Sequence, residues 1–192
     1  MRQVGGGYRM LTRRVFLALA AFFALGSPRG SAHELQSDPK FLRQIVSDPT
    51  GEPAGTIVIS TGEFFLYLVL ENGMALRYGV GVGRDGFAWT GLAEVGRKRK
   101  WPVWTPPPSM IRREPKLARW RKSMPGGLEN PLGARALYLY RDGRDTLFRI
   151  HGTNEPWTIG TAASSGCIRL TNSDVTDLYG RVPLGARVIV GT

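Results

Sequence analysis

Asn72-Gly73 stands between two apolar runs, and this junction constrains the fold more than any other stretch of the chain. A tight two-residue hairpin needs a left-handed backbone at both central positions, which Asn and Gly tolerate best. Upstream lie Thr56-Ile57-Val58-Ile59-Ser60, the turn signal Thr61-Gly62, and Glu63 to Leu70 (EFFLYLVL). Downstream, Met74 to Val82 (MALRYGVGV) returns. Three adjoining strands at hairpin spacing predict a mainly antiparallel sheet. Ala136 to Tyr140, Thr146 to Ile150 and Ala186 to Val190 read as further strands. Pro115 to Met124 predicts a short basic helix. Asp174 to Tyr179 predicts another, capped by Ser173 or Asn172 and closed by Gly180. Gly83 to Pro108, with Trp89, Trp101 and Trp104, reads as a long irregular stretch, which in a compact domain is functional or flexible. The expected architecture is mainly β: a single antiparallel β-sandwich or barrel-like domain with one or two short helices.

The N-terminus reads differently. Arg9, Arg13 and Arg14 precede an uninterrupted apolar run, Val15 to Leu25, which is too short to span a bilayer. Gly30-Ser31-Ala32 offers the small residues that a signal peptidase reads. Residues 1–32 are therefore expected to be a cleaved export signal. Thr12-Arg13-Arg14-Val15-Phe16-Leu17 fits the twin-arginine route, and an ordinary secretory signal fits the same residues. Met10 is a second candidate start. Residues 33–54 are expected to form a mixed lead-in, and 55–192 a single domain. The expected location is the periplasm or cell envelope, with no membrane span left after cleavage.

The chain has 192 residues and a net charge of +11. Loss of residues 1–32 removes five arginines and no acid, leaving 21 basic against 15 acidic residues, a net charge of +6. Much of this charge lies in Arg97-Lys98-Arg99-Lys100 and between Arg112 and Lys122. Such a surface suits an anionic polymer or lipid, or is simply a solvated face. Export and the lack of a DNA- or RNA-binding motif argue against nucleic acid. Gly81-Val82-Gly83-Arg84-Asp85-Gly86 has the letters of a dinucleotide loop but no helix after it and no βαβ frame, so the match is rejected.

Cys167 is the only cysteine, and in an exported chain it has no internal disulfide partner. One Cys and one domain histidine do not make a tetrahedral zinc set, so no metal or cofactor is expected. A thiol attacks as thiolate, and its free pKa of about 8.5 leaves little ionised at neutral pH. A histidine that takes the proton and returns it solves this. His151, sixteen residues before Cys167, is the candidate, because the other histidine, His33, lies at the expected cleavage site. Gly166 lets the backbone approach an acyl group, and the amides of Gly166 and Cys167 are candidate oxyanion donors. Arg169 falls on the same side of an extended segment as the thiol and could hold a substrate carboxylate in a forked geometry. Its alternative role is a surface salt bridge. Ser164, Ser165 and Trp157 are further candidates for substrate binding, although serines in a turn often serve only the backbone. No acid stands out as a third catalytic member.

These residues resemble the L,D-transpeptidase catalytic domain, the YkuD family, and its periplasmic ErfK/YbiS-like branch. The family pattern is a histidine, about fifteen residues, then Ser/Thr-x-Gly-Cys with an apolar residue and Asn or Arg. Here it reads His151-Gly152-Thr153, then Ser164-Ser165-Gly166-Cys167-Ile168-Arg169. Trp101-Pro102-Val103-Trp104-Thr105-Pro106-Pro107 and Asn130-Pro131-Leu132-Gly133 match as well. Many members carry histidine before the Gly-Cys pair, where this chain has Ser165. The resemblance implies cleavage of the L,D bond of a peptidoglycan stem tetrapeptide through a Cys167 acyl-enzyme. It implies transfer to a diaminopimelate amine, giving a 3-3 cross-link. Water as acceptor would give carboxypeptidase activity, and a protein amine would attach an outer-membrane protein. It also implies that the Gly152 carbonyl orients His151 and that carbapenems acylate Cys167. The partners expected are stem peptides, and the chain is expected to act as a monomer. A hydrolase of wall peptides and a non-enzymatic wall-binding protein are the competing readings.

Overall fold

Hydrophobic alternation builds most of the sheet. In the computed structural model, residues 38–85, 87 and 89–191 are described. The expected export signal, Met10 and His33 lie outside the described residues, as does the start of the lead-in. No helix among the described residues is long and apolar enough to cross a membrane.

The strands are β1 (Gln44–Ser47), β2 (Ile57–Ser60), β3 (Phe65–Val69), β4 (Met74–Gly79), β5 (Val82–Gly83), β6 (Gly91–Lys100), β7 (Arg135–Arg141), β8 (Arg144–His151), β9 (Ala162–Ser164), β10 (Ile168–Arg169) and β11 (Arg187–Gly191). The helices are α1 (Pro108–Arg113) and α2 (Asn172–Arg181). One nine-stranded sheet runs β1-β4-β3-β2-β11-β6-β7-β8-β10, and β5 and β9 form a separate pair. Most pairings are antiparallel, while β11–β2, β10–β8 and β5–β9 are parallel. The β3–β4 hairpin turns on Asn72 (φ 60°) and Gly73 (φ 67°), the left-handed pair its sequence predicts.

The sheet curls toward closure. Gly81, just after β4, bridges Arg169 on the opposite edge strand β10. Ile57, Leu66, Tyr78, Val95, Leu137, Ile150, Leu170, Val175 and Val188 therefore share one contiguous core and are all fully buried. Helix α2 covers that core with Val175 and Leu178.

Several local expectations change. The stretch Gly83 to Pro108 is not irregular throughout, because it contains the ten-residue strand β6. Only Ala93 and Val95 of β6 face the core, Leu92 is exposed and Arg97 to Lys100 are all charged, so little alternation shows. A bulge after Val95 offsets the register with β7 at Gly96, where a Cβ would run into the Tyr140 ring. Met74 to Val82 is interrupted after Gly79, where a Cβ would meet the Phe41 backbone at 2.6 Å. The segment after Pro115 is a 3-10 helix, Pro115–Trp120, and not an α-helix. Thr171 caps α2 by accepting the Asp174 N–H, in place of Ser173 or Asn172. Gly180 lies inside that helix, which ends at Arg181 with Val182 as its C-cap.

Candidate active site

The parallel pair β8–β10 sets the site. Ile168 lies opposite Ile150, and Arg169 opposite His151. Side chains alternate along a strand and paired residues share a face, so the isoleucines point together into the core. The other face then carries Arg149 and His151 from β8, with Cys167 and Arg169 from the β10 segment. The four make a square, with thiol and imidazole on one diagonal and two guanidiniums on the other. That diagonal spans about 8 Å between Cα atoms. The sulfur sits beside β8, where the Arg149 backbone N–H donates to it.

His151 is buried and its tautomer is set. Nδ1 lies 2.5 Å from the Gly152 carbonyl, which accepts the Nδ1 proton and leaves Nε2 free to take another. Gly152 in turn is closely hemmed in. A Cβ there would meet Ala134 N at 3.1 Å, and Asn172 Oδ1 accepts the Ala134 N–H at 2.8 Å. Burial lowers the His151 pKa to about 4 against the favourable pull of the Gly152 carbonyl, and the charges of Arg169 and Arg149 push it further down. Burial raises the Cys167 thiol pKa, opposed by the Arg149 N–H and by both guanidiniums. The resting pair is therefore neutral thiol and neutral imidazole, with the thiolate forming only as the proton moves.

The turn before Cys167 is braced from inside. Ser164 is buried, donates its hydroxyl to the Cys167 carbonyl at 2.6 Å and accepts the Gly166 N–H at 3.1 Å. Ser164 thus shapes the turn. The Gly166 amide, expected at the oxyanion, is committed to Ser164, whereas the Cys167 N–H has no acceptor among the described residues. Gly166 has φ 114°, and a Cβ there would press on Phe148 Cε1 at 2.7 Å and the Phe87 carbonyl at 2.9 Å. Ser165 is exposed, and Trp157 stands 55% exposed in the 3-10 turn Pro156–Thr158. Arg169 is not a free fork: Nη1 donates to Glu155 Oε2 at 2.9 Å and approaches Thr158 Oγ1 at 3.4 Å.

Arg149 was not singled out by its sequence, although it stands two residues before His151 on a predicted strand and so shares its face. Its guanidinium donates to both Asp145 oxygens, at 2.7 and 2.9 Å, and lies 4.3 Å from the Tyr138 ring centroid. Arg97 stacks on the same ring at 3.9 Å. Asp145 also accepts the Leu147 N–H at the residue where β8 takes φ 65°. Asn130, fully buried, ties the loop after β6 by donating to the Pro102 and Pro125 carbonyls at 3.1 and 3.0 Å. Within the glycine-rich stretch, Val82 and Gly83 pair with β9, and the next element among the described residues is β6.

The YkuD profile, described as the L,D-transpeptidase catalytic domain, matches residues 54–190. The chain belongs to the YkuD family. It is 38% identical over 144 residues to the probable L,D-transpeptidase YbiS of Escherichia coli, covering 69% of this chain and 43% of that protein. The chain thus spans less than half the length of this curated relative. A solved structure from Brucella melitensis, called a probable carnitine operon oxidoreductase, is 51% identical, with TM-score 0.55 and coverage of 77% of this chain and 92% of that one. L,D-transpeptidase 3 of Mycobacterium tuberculosis shares the fold at 16% identity, with TM-score 0.51 and coverage of 71% of this chain and 60% of that one.

Proposed function

We propose that this YkuD domain is a peptidoglycan L,D-transpeptidase working through a Cys167 acyl-enzyme. The carrying observation is the square on β8 and β10, with the His151 Nδ1 proton held by the Gly152 carbonyl. As Cys167 Sγ attacks the carbonyl of the L,D bond, His151 Nε2 takes the thiol proton. The Cys167 N–H stabilises the oxyanion; losing one such donor in comparable enzymes costs on the order of 100- to 1000-fold in rate. His151 then returns the proton to the leaving D-alanine amine, and a thioester remains on Cys167. An incoming amine loses its proton to Nε2 and attacks the thioester, which frees the thiolate to be reprotonated. A diaminopimelate amine as acceptor gives a 3-3 cross-link. Water gives the carboxypeptidase product, and a protein amine gives attachment of an outer-membrane protein.

The same chemistry supports acylation of Cys167 by carbapenems. The export signal expected from the sequence of residues 1–32 supports a periplasmic site of action. The oxidoreductase name of the Brucella structure finds no support in the glycine-rich stretch, where Val82 and Gly83 pair with β9 and the next element among the described residues is strand β6. The test is to incubate the protein with purified disaccharide-tetrapeptide and separate the products by mass. Cross-linked dimers with released D-alanine support the transferase, and tripeptide alone makes the chain a carboxypeptidase. Unchanged tetrapeptide rejects both.

A further inference from the structure

Arg169 already carries a carboxylate. Nη1 is held by Glu155 Oε2 at 2.9 Å, while the Arg169 side chain is 18% exposed and that of Glu155 is 44% exposed. Nε of Arg169 is buried and has no partner among the described residues. One residue before Glu155, the Asn154 Oδ1 acceptor is likewise buried without a described partner, although its amide donates to the Glu129 carbonyl. Arg169 faces the site because it lies opposite His151, so Glu155 brings a negative charge to the edge of the square. An arginine meant to grip a lone carboxylate would gain nothing from this neighbour. An incoming anion would have to break a charge-assisted hydrogen bond and then sit beside the Glu155 charge.

A ligand bearing a carboxylate and an ammonium on one carbon avoids both costs. Its carboxylate meets Arg169 and its ammonium meets Glu155, so each member of the pair exchanges one opposite charge for another. We propose that Glu155 is a specificity residue which, with Arg169, reads an amino-acid zwitterion on the acyl donor. Resting on the function proposed above, the group recognised is the free amino-acid end of the diaminopimelate side chain at the third stem position. The attacking amine of the acceptor is a different group, since an ammonium paired with Glu155 cannot be nucleophilic. Glu155 is therefore a selector of donors and takes no part in the proton transfers of Cys167 and His151.

The test compares tetrapeptide donors differing only at residue three: diaminopimelate, its side-chain N-acetyl derivative, its side-chain carboxamide, and lysine. The full chain is assayed as wild type, Glu155→Gln and Glu155→Asp. Wild type is expected to prefer diaminopimelate by tenfold or more in kcat/KM over the other three. Glu155→Gln should lose the discrimination against the N-acetyl donor, through KM, and Glu155→Asp should restore much of it. Melting temperatures of both variants should stay close to that of the wild type, which reports that they fold. Full discrimination in Glu155→Gln would overturn the proposal. A uniform fall in KM for every carboxylate donor would do so too, by making Glu155 a mere competitor. If wild type turned over none of the four donors, the transpeptidase reading itself would fail instead.

Discussion

Two parallel strand pairs in the same sheet do different things. In β2–β11, Ile57 and Ile59 pair with Val188 and Val190, and all four are buried in the core. Their outward neighbours Val58 and Ile189 are apolar as well. In β8–β10 the inward pair is also apolar, Ile150 with Ile168, but the outward positions are Arg149, His151, Cys167 and Arg169. Both pairs use the same pleat and the same kind of inner face. The difference shows that the core fixes register, and register, by alternation, delivers four reactive or charged side chains to one spot.

The sharpest way to break the comparison is to remove the chemistry and keep the pleat. Cys167→Ser and His151→Ala should each cut turnover about 1000-fold or more. Their melting temperatures should stay close to that of the wild type, and a large fall would show the square to be structural. Next is the turn. Gly166→Ala forces a Cβ against Phe148 and the Phe87 carbonyl at φ 114°, moving Cys167. Turnover should drop on the order of 100-fold, as small displacements of a nucleophile do.

A third test sets the pairs against each other. Ile150→Ala and Ile57→Ala, both at fully buried positions, should each cost about 2–5 kcal/mol of stability. Activity per folded molecule should fall about tenfold only in Ile150→Ala, where the lost packing loosens the thiol–imidazole diagonal. Equal activity losses would contradict the division of labour.

The smallest effect at neutral pH lies with His151. Its pKa stands near 4 instead of 6.5, chiefly because the ring is buried. Between these values the unfolded chain binds the extra proton and the folded one does not. The stability tied to this group, about 3 kcal/mol, is present above pH 6.5 and is lost as pH falls toward 4. Turnover should accordingly hold down to about pH 5 and halve near pH 4, where Nε2 becomes protonated. Denaturation midpoints and kcat/KM followed from pH 8 to 4 check both. An acid limb near 6.5 would mean that the imidazole is solvated.

The hairpins and the last strand were legible because each rests on local chemistry: an Asn-Gly turn and β-branched runs. Strand β6 was hidden because only Ala93 and Val95 face inward, Leu92 is an exposed apolar residue and Arg97 to Lys100 are all charged, so no alternation shows. The parallel pairing of β8 with β10 was hidden because no hairpin spacing announces it, and with it the place of Arg149 opposite the thiol. The commitment of the Gly166 amide to Ser164, and of Arg169 to Glu155, depends on how a loop returns on itself, which alternation does not encode.

The central claim is that Cys167 carries the acyl group. Intact-mass spectrometry of the protein quenched in acid during reaction with disaccharide-tetrapeptide tests it most directly. The account predicts an adduct of the donor less D-alanine, mapped to Cys167 and absent from Cys167→Ala. Steady turnover with no adduct under any quench, or an adduct that persists in Cys167→Ala, would contradict it.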